Sequence, residues 1–275
     1  MAAGAEDVDA AAAAPDLAAA EARLGALTQD RLLGGRLSLW QPKSGYRAAT
    51  DPVFLAAAVA AGSGESVLEL GIGAGAASLC LNARVPGLAL TGIEIEPGYA
   101  ALARANAAAA GARLEVIEGD VTAMPATLRA RRFDHVILNP PYHAHGPASP
   151  VPARDRAHRE GAEGILAPWL RAALKRVRPR GTVTLIHRAE RLPEILAALS
   201  GPAGALRVLP LAAREGRPAA RLIVSARSQV ATPFALLAPL VLHEGAVHAG
   251  DHDHFTPAAR AILRDGTALD LGARA

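Results

Sequence analysis

The residues of this chain most able to do chemistry are Asn139, Pro140, Pro141 and Tyr142, which follow the apolar run 133–138. That run predicts a buried strand. Neither proline has an N–H to donate, and the residue before each proline is held extended, so the strand must stop at a rigid corner. An amide oxygen, a fixed carbonyl and an aromatic plane together suit the binding of a planar NH2 group on a π-system. A simpler interpretation is that the two prolines only terminate a strand.

A glycine-rich turn forms the second chemical pattern, because it joins a predicted buried strand at 66–70 to a predicted helix at 76–83. The glycines of the turn are Gly71, Gly73 and Gly75. Their Gly-x-Gly-x-Gly spacing differs from the Gly-x-Gly-x-x-Gly of dinucleotide-binding proteins. Glu69, just before the turn, would repel a pyrophosphate but suits a ligand with an ammonium or sulfonium charge. S-adenosylmethionine carries both charges, which makes it the expected cofactor.

Acidic residues end the next two predicted strands, 88–94 and 114–120. Glu94 lies 23 residues after Gly71, near the spacing of about 20 at which a carboxylate holds ribose hydroxyls. Asp120 could accept a hydrogen bond from an adenine amino group. Ligands of open α/β sheets bind at the carboxyl ends of the strands, so both acids are expected beside the glycine turn. An alternative for Glu94 is that it only caps the helix that follows.

The elements that must position these residues alternate along the chain. Strands are also predicted at 181–187, 206–211 and 222–226, and helices at 165–177 and 192–199. This alternation predicts an α/β, Rossmann-like fold with a mostly parallel sheet and helices on both faces. Three segments are expected: an acidic, alanine-rich extension at 1–30 that is disordered or loosely helical, a catalytic domain at 31–245, and a tail with a short helix at 246–275.

Composition narrows the class of protein. Residues 1–30 hold six acids and one base, a net charge of −5. Because the net charge of the whole chain is +3, residues 31–275 carry +8. A basic body fits a polyanionic partner, although a surface charged for solubility explains the same numbers. The one cysteine, Cys80, excludes an internal disulfide framework. Without a basic N-terminal signal or an apolar run of transmembrane length, the sequence predicts a cytoplasmic protein with no membrane segment.

Two polar regions remain. The long loop 143–163 could serve as a substrate lid, because long loops without secondary structure are usually functional. Candidates for phosphate contacts are Arg154, Arg156, Arg159, Arg214 and Arg217. A second region is rich in metal-ligand types: His243, His248, Asp251, His252, Asp253 and His254. Its spacing matches no common metal-site pattern, so a solvated loop without metal is expected.

Taken together, these motifs resemble those of the class I S-adenosylmethionine-dependent methyltransferases, and 139–142 resembles the Asn-Pro-Pro-Tyr motif of amino methyltransferases. Within that group, 46–55 and 67–71 resemble the bacterial tRNA (adenine-N6)-methyltransferases that modify valine tRNA beside the anticodon. The resemblance covers about residues 31–245. It implies a seven-stranded sheet, mostly parallel with one antiparallel strand near the end, S-adenosylmethionine as cofactor, and tRNA as partner.

The resemblance also implies roles for individual residues. Those expected to border or hold the cofactor are Glu69, Gly71, Gly73, Gly75, Glu94 (ribose), Asp120 (adenine) and Asn139. Those expected to act in catalysis are Asn139, Pro140, Pro141 and Tyr142, with Asn139 and Tyr142 holding the target base.

Other functions stay open at this point. His143 resembles the residue after the motif in ribosomal-RNA guanine-N2 methyltransferases, which generally have a duplicated domain for which this chain has no room. A protein glutamine N5-methyltransferase also methylates a planar NH2 group, that of a side-chain amide. Proteins of that class carry a helical substrate domain ahead of the catalytic one. DNA adenine methylation would need a target-recognition domain. The glycine spacing and Glu69 disfavour a dehydrogenase, and the complete set of pocket residues disfavours a non-enzymatic RNA-binding protein.

Overall fold

The computed structural model describes residues 5–141, 162–245 and 254–272. Its strands are β1 Leu27–Leu32, β2 Leu37–Pro42, β3 Ser66–Leu70, β4 Ala89–Glu94, β5 Leu114–Glu118, β6 Phe133–Leu138, β7 Val177–Arg188, β8 Ala203–Ala212, β9 Ala219–Ser228, β10 Ala235–Leu236 and β11 Leu240–Val241. Its helices are α1 Ala5–Leu24, α2 Asp51–Ala58, α3 Ala76–Arg84, α4 Pro97–Ala109, α5 Ala126–Arg129, α6 Ala162–Arg176, α7 Leu192–Leu199 and α8 Pro257–Asp265.

The central sheet confirms the predicted Rossmann-like class. Its seven longer strands follow the order β5-β4-β3-β6-β7-β9-β8, and β9 alone among them runs antiparallel to its neighbours. The two-residue strands β10 and β11 pair in parallel with the outer edge of β8 and extend the described sheet to nine strands. The implied seven-stranded sheet is therefore correct for its core and incomplete at one edge, where short strands cover β8.

Alternating side chains of the central strands build a core on each face of the sheet. Val67 and Ile137 point into one cluster, which packs against α2 and α3. Leu68 and Val136 point into the other, which packs against α6 and α7. Successive strand residues face opposite sides of a sheet, so a strand covered by helices on both sides is apolar over most of its length. This explains why Val67, Leu68 and Leu70 of β3 and residues 136–138 of β6 are apolar.

The N-terminal segment is helical where the structure describes it. Ala5–Leu24 is a helix that packs along α4, which is the second of the two states that the sequence left open for residues 1–30. Ala20 is fully buried, and Arg104 Nε on α4 lies 3.1 Å from Asp16 Oδ1. A Cβ added at Gly98 would sit 2.9 Å from Leu24 Cγ, so the missing side chain lets the two helices approach closely. Alanines on one helical face supply the contact that composition alone did not reveal.

The C-terminal segment is likewise joined to the body. α8, the short helix predicted in the tail, contacts α2, and Leu269 N–H donates to Ala57 O at 2.8 Å. Thr256 caps α8 by accepting from Ala259 N–H at 3.2 Å. Across the described ranges, none of the helices is long and apolar enough to cross a bilayer.

Candidate functional site

Strand register brings the predicted site residues to one edge of the sheet. Leu70 of β3 pairs with Ile93 of β4 on one side and with Leu138 of β6 on the other. The next residue on each strand is therefore Gly71, Glu94 or Asn139. Because the three strands are parallel, their carboxyl ends lie together, as the sequence predicted.

The glycine turn is shaped by backbone conformations that favour glycine. Gly71, Gly73 and Gly75 all have positive φ, at 68°, 55° and 88°. The N–H groups of Gly71 and Ile72 both donate to Ile93 O, at 2.9 and 3.1 Å, which ties the turn to β4. The turn thus presents bare backbone at the edge of the sheet, where a ligand can approach it closely.

Trp169 of α6 covers the start of this turn. A Cβ at Gly71 would lie 2.5 Å from Trp169 Cη2, closer than real carbon atoms approach. The sequence predicted Trp169 as a core residue, and it does pack on the core cluster while half-buried. Its contact with Gly71 adds a second role that helical periodicity could not reveal, because the partner is distant along the chain.

Glu69 is a buried carboxyl beneath the turn. It is 3% exposed, and its Oε2 accepts from Ser78 N–H at 3.0 Å and from Ser78 Oγ at 2.5 Å. Burial raises the pKa of Glu69 to about 8, with Glu94 adding to the rise while the Ser78 hydrogen bonds oppose it. A cation placed nearby would favour the ionised form. Glu69 therefore suits the side of a site that receives an ammonium or sulfonium group.

Glu94 holds the neighbouring loops together. Its Oε2 accepts from Gly73 N–H at 2.9 Å, and its Oε1 accepts from Glu96 N–H at 3.0 Å. Burial raises the pKa of Glu94, and these backbone hydrogen bonds lower it in part. Each carboxylate oxygen keeps a second lone pair, so Glu94 can accept from ribose hydroxyls without losing these contacts.

Asp120 and Ile95 complete the cofactor side of the edge. Asp120 Oδ1 accepts from the N–H and Oγ of Thr122, at 2.6 and 2.8 Å, and so caps the 3-10 turn Val121–Ala123. Ile95, directly after Glu94, is 66% exposed. An exposed apolar side chain beside buried carboxylates offers a flat ligand a hydrophobic surface. Sequence reasoning missed Ile95, because one apolar residue after a strand carries no periodic signal.

Tyr46 lies on the opposite side of the glycine turn. Its side chain is 54% exposed, yet a Cβ at Gly73 would lie 3.8 Å from its Cε1 atom. Its hydroxyl pKa is raised by desolvation and by the charges of Glu69 and Asp51. Tyr99 Oη donates to Tyr46 O at 3.0 Å, and the two rings meet edge to face. The ring therefore lies close to Gly73 of the turn while about half of the residue stays exposed.

Polar side chains brace the loop that carries Tyr46. Arg47 Nη1 donates to Thr28 Oγ1 and Pro42 O, each at 2.7 Å, and its Nη2 pairs with Asp30. Gln41, 1% exposed, donates to Ala48 O at 3.2 Å and accepts from Ala48 N–H at 2.6 Å. These hydrogen bonds attach the loop that carries Tyr46 to the β1–β2 hairpin.

Asn106 of α4 ties the same hairpin to the glycine turn. It is fully buried and accepts from Trp40 N–H at 2.7 Å. Its Nδ2 donates to Trp40 O at 3.0 Å and to Ala74 O at 2.9 Å. One side chain therefore connects the hairpin, α4 and the turn.

The predicted catalytic corner is described up to Pro141. Asn139 is half-buried, Pro140 is buried and Pro141 is exposed, so the chain leaves the sheet at this point. Tyr142 lies outside the described residues, as do residues 143–161 of the predicted lid with Arg154, Arg156 and Arg159, whereas its last two residues belong to α6. His248, Asp251, His252 and Asp253 of the second polar region also lie outside the described residues. Arg214 donates to Glu244 O and Gly245 O. His243 stacks on Phe255 at 4.7 Å, and the described residues contain no group of side chains able to hold a metal ion.

A cavity of about 450 Å³ lies elsewhere, lined by residues such as Leu196, Gly204 and Phe234. These residues surround the amino end of β8, whereas the predicted site lies at the carboxyl ends of β3, β4 and β6. The candidate site is located by its residue types and by the pairing of β3, β4 and β6, and the cavity lies outside it. Its open turn, buried carboxylates and two exposed flanking side chains, Ile95 and Tyr46, fit an adenosine cofactor with a charged tail.

Fold and edge geometry define a class I methyltransferase, a class that uses S-adenosylmethionine as methyl donor, and the comparisons with known proteins agree. Residues 50–155 match the methyltransferase small domain family. A tRNA1(Val) (adenine(37)-N6)-methyltransferase from Shewanella amazonensis is 37% identical over 125 residues, which cover 45% of this chain and 53% of that protein. One of the same name from Shewanella sp. MR-4 is 30% identical over 162 residues, which cover 58% of this chain and 68% of that protein.

A solved structure from Agrobacterium tumefaciens, described as a predicted O-methyltransferase, is 30% identical. It has a TM-score of 0.63 and covers 79% of this chain and 97% of its own. The chain belongs to the family of the tRNA1(Val) (adenine(37)-N6)-methyltransferases. It spans 53%, 64% and 61% of the length of three of these relatives.

Proposed function

We propose that the protein transfers a methyl group from S-adenosylmethionine to the exocyclic N6 of an adenine in tRNA. The observation that carries the proposal is the shared edge of β3, β4 and β6, where Gly71, Glu94 and Asn139 follow paired residues of the sheet. The names of the relatives favour adenine in tRNA over the other acceptors.

Residues on one side of this edge are suited to hold the cofactor. Glu94 would accept from the ribose hydroxyls, Asp120 from the adenine amino group, and Ile95 would contact the adenine face. Glu69 would balance the positive charge of the methionine end, near the backbone of Gly71. When bound, the cofactor supplies an already activated methyl group, so alignment and exclusion of water are the main tasks left to the protein.

Asn139 and Pro140 act on the acceptor. An exocyclic amine is a weak nucleophile, because its lone pair is delocalised into the ring. The Asn139 side-chain oxygen and the Pro140 carbonyl would each accept one N–H of that amine, which draws the nitrogen toward tetrahedral geometry and aims its lone pair. The nitrogen becomes acidic only after transfer, so no strong base is required. Tyr142 would stack on the base, which must leave its own stack to enter.

The test uses methyl-labelled S-adenosylmethionine with total tRNA, ribosomal RNA and a protein extract in separate reactions, followed by nucleoside and amino-acid analysis. Label as N6-methyladenosine in tRNA is the expected result. Label as N2-methylguanosine or N5-methylglutamine would overturn the acceptor and keep the chemistry. Asn139→Ala should lower the rate at least about 100-fold and weaken S-adenosylhomocysteine binding far less, because the amine to be methylated loses a hydrogen-bond acceptor. Unchanged activity in that variant would refute the mechanism.

A further inference from the structure

The opposite edge of the sheet carries two adjacent arginines that the proposed chemistry does not use. Phe133, the first residue of β6, pairs in parallel register with Val177, the first residue of β7. Arg132 and Arg176 directly precede this pair, so they lie side by side at the amino ends of two neighbouring strands. Arg132 is exposed, whereas Arg176 is 8% exposed.

A third arginine reaches the same place from a helix. Arg176 Nη1 donates to Leu128 O at 3.3 Å, and Arg129 is the next residue and the last of α5. Arg129 is also exposed. Arg129, Arg132 and Arg176 thus converge from three elements, and they are called the arginine cluster below.

Neighbouring arginines are neutralised, and the cluster is not. Arg131 pairs with Glu115 at 2.7 Å, and Arg178 pairs with Asp134. Among the residues that the structure describes, no carboxylate lies within 4.0 Å of a cluster guanidinium. The pKa of Arg176 is lowered first by burial and then by the charges of the other two cluster arginines. Like charges held together without an anion oppose folding, so a bound anion would relieve the cost.

We propose that the arginine cluster binds a backbone phosphate of the RNA substrate. Guanidinium groups bind phosphate through forked donors, and two of the three are exposed and open to a large ligand. Asn139 lies seven positions after Arg132 along β6, which at ~3.3 Å per residue places the cluster about 23 Å from the acceptor site. An RNA that reaches both must extend well past its target base. The inference rests on the proposed function, because it takes the same RNA as ligand.

The experiment compares tRNA binding by the full chain and by Arg129→Gln/Arg132→Gln, with S-adenosylhomocysteine present and across a range of salt concentrations. Both changed residues are exposed, so the variant avoids disturbing buried Arg176. We expect its Kd for tRNA to rise about tenfold at low salt, and the slope of log K against log salt to become shallower by roughly 1, as for the loss of one phosphate contact. Arg31→Gln is the matched control, because Arg31 is exposed and lies on the separate β1–β2 sheet.

Binding and methylation results test this inference and the proposed function separately. A short oligonucleotide carrying the target adenine should bind the variant and the wild type equally, since it cannot reach the cluster. Equal tRNA affinity and salt slope in variant and wild type would overturn the inference even if methylation proceeds. Cluster-dependent tRNA binding without methyl transfer would overturn the proposed function and support the cluster as an RNA contact. If inorganic phosphate raises the Tm of the wild type alone while tRNA binding is unaffected, the ligand is a free phosphate and the RNA assignment fails.

Discussion

Replacing Glu69 by glutamine should remove a pH-dependent loss of stability from the free protein. Burial raises the pKa of Glu69 from 4.5 to about 8. Between these values the native state binds a proton that the unfolded state releases, so the free energy of unfolding falls as pH rises. At 1.36 kcal/mol per pKa unit the full loss is roughly 5 kcal/mol, of which roughly 3 kcal/mol falls between about pH 5.5 and pH 9.

Glutamine preserves the shape, and its amide oxygen can accept from the N–H and Oγ of Ser78 as Glu69 Oε2 does. Glutamine cannot ionise, so the free energy of unfolding of the variant should not fall with rising pH through this group. The assay is urea unfolding of wild type and Glu69→Gln at matched pH values. Subtracting the two free energies of unfolding at each pH removes the contribution of the histidines, because it is the same in both proteins. Burial lowers the pKa of His187 from 6.5 to about 4, so its titration makes the free energy of unfolding rise with pH. That rise is complete above about pH 6.5, the pKa of the unfolded state. Parallel stability curves above pH 6.5 would refute the buried-carboxyl reasoning.

Three further substitutions probe how the site is supported. Asn106→Ala should cost roughly 3 kcal/mol in urea unfolding, because it removes three buried hydrogen bonds to backbone groups. Gly71→Ala should cost roughly 2–4 kcal/mol and weaken S-adenosylhomocysteine binding, since its Cβ would collide with Trp169 at a positive φ; unchanged melting and binding would contradict the contact. Gly98→Val should release α1 by crowding Leu24, seen as faster proteolysis of the N-terminal segment with a rate of methyl transfer within about threefold of wild type.

Much of the sheet follows from sequence because each strand is defined locally. The apolar runs that become β3, β4 and β6 are ended by glycine, acid or proline, and those residues fall at one edge once the strands are parallel. The register that aligns Leu70, Ile93 and Leu138 comes from packing between distant segments, and it brings the glycine turn, Glu94 and Asn139 to that edge. The two short strands on β8 carry too few residues for any periodic signal.

The sequence left the N-terminal segment open between disorder and a loose helix. Alanine-rich acidic sequence is compatible with both when it is considered alone. Its order comes from partners on α4, where Gly98 leaves room for Leu24 and Arg104 pairs with Asp16. Tertiary packing supplies most helical stability in proteins, so a segment with a weak intrinsic signal can still be well ordered.

Glu69 shows how burial changes an argument made from charge. From sequence, its carboxylate was expected to repel a pyrophosphate and attract a cation. In the structure the side chain is 3% exposed with a pKa of about 8, so at neutral pH the free protein holds it mostly protonated. Repulsion of a phosphate is then weak until the group ionises, and ionisation becomes favourable when a cation arrives. For the proposed cofactor, selectivity at this end of the site would therefore come from the cation's own field, and it would depend on the burial that Ser78 and the glycine turn impose on Glu69.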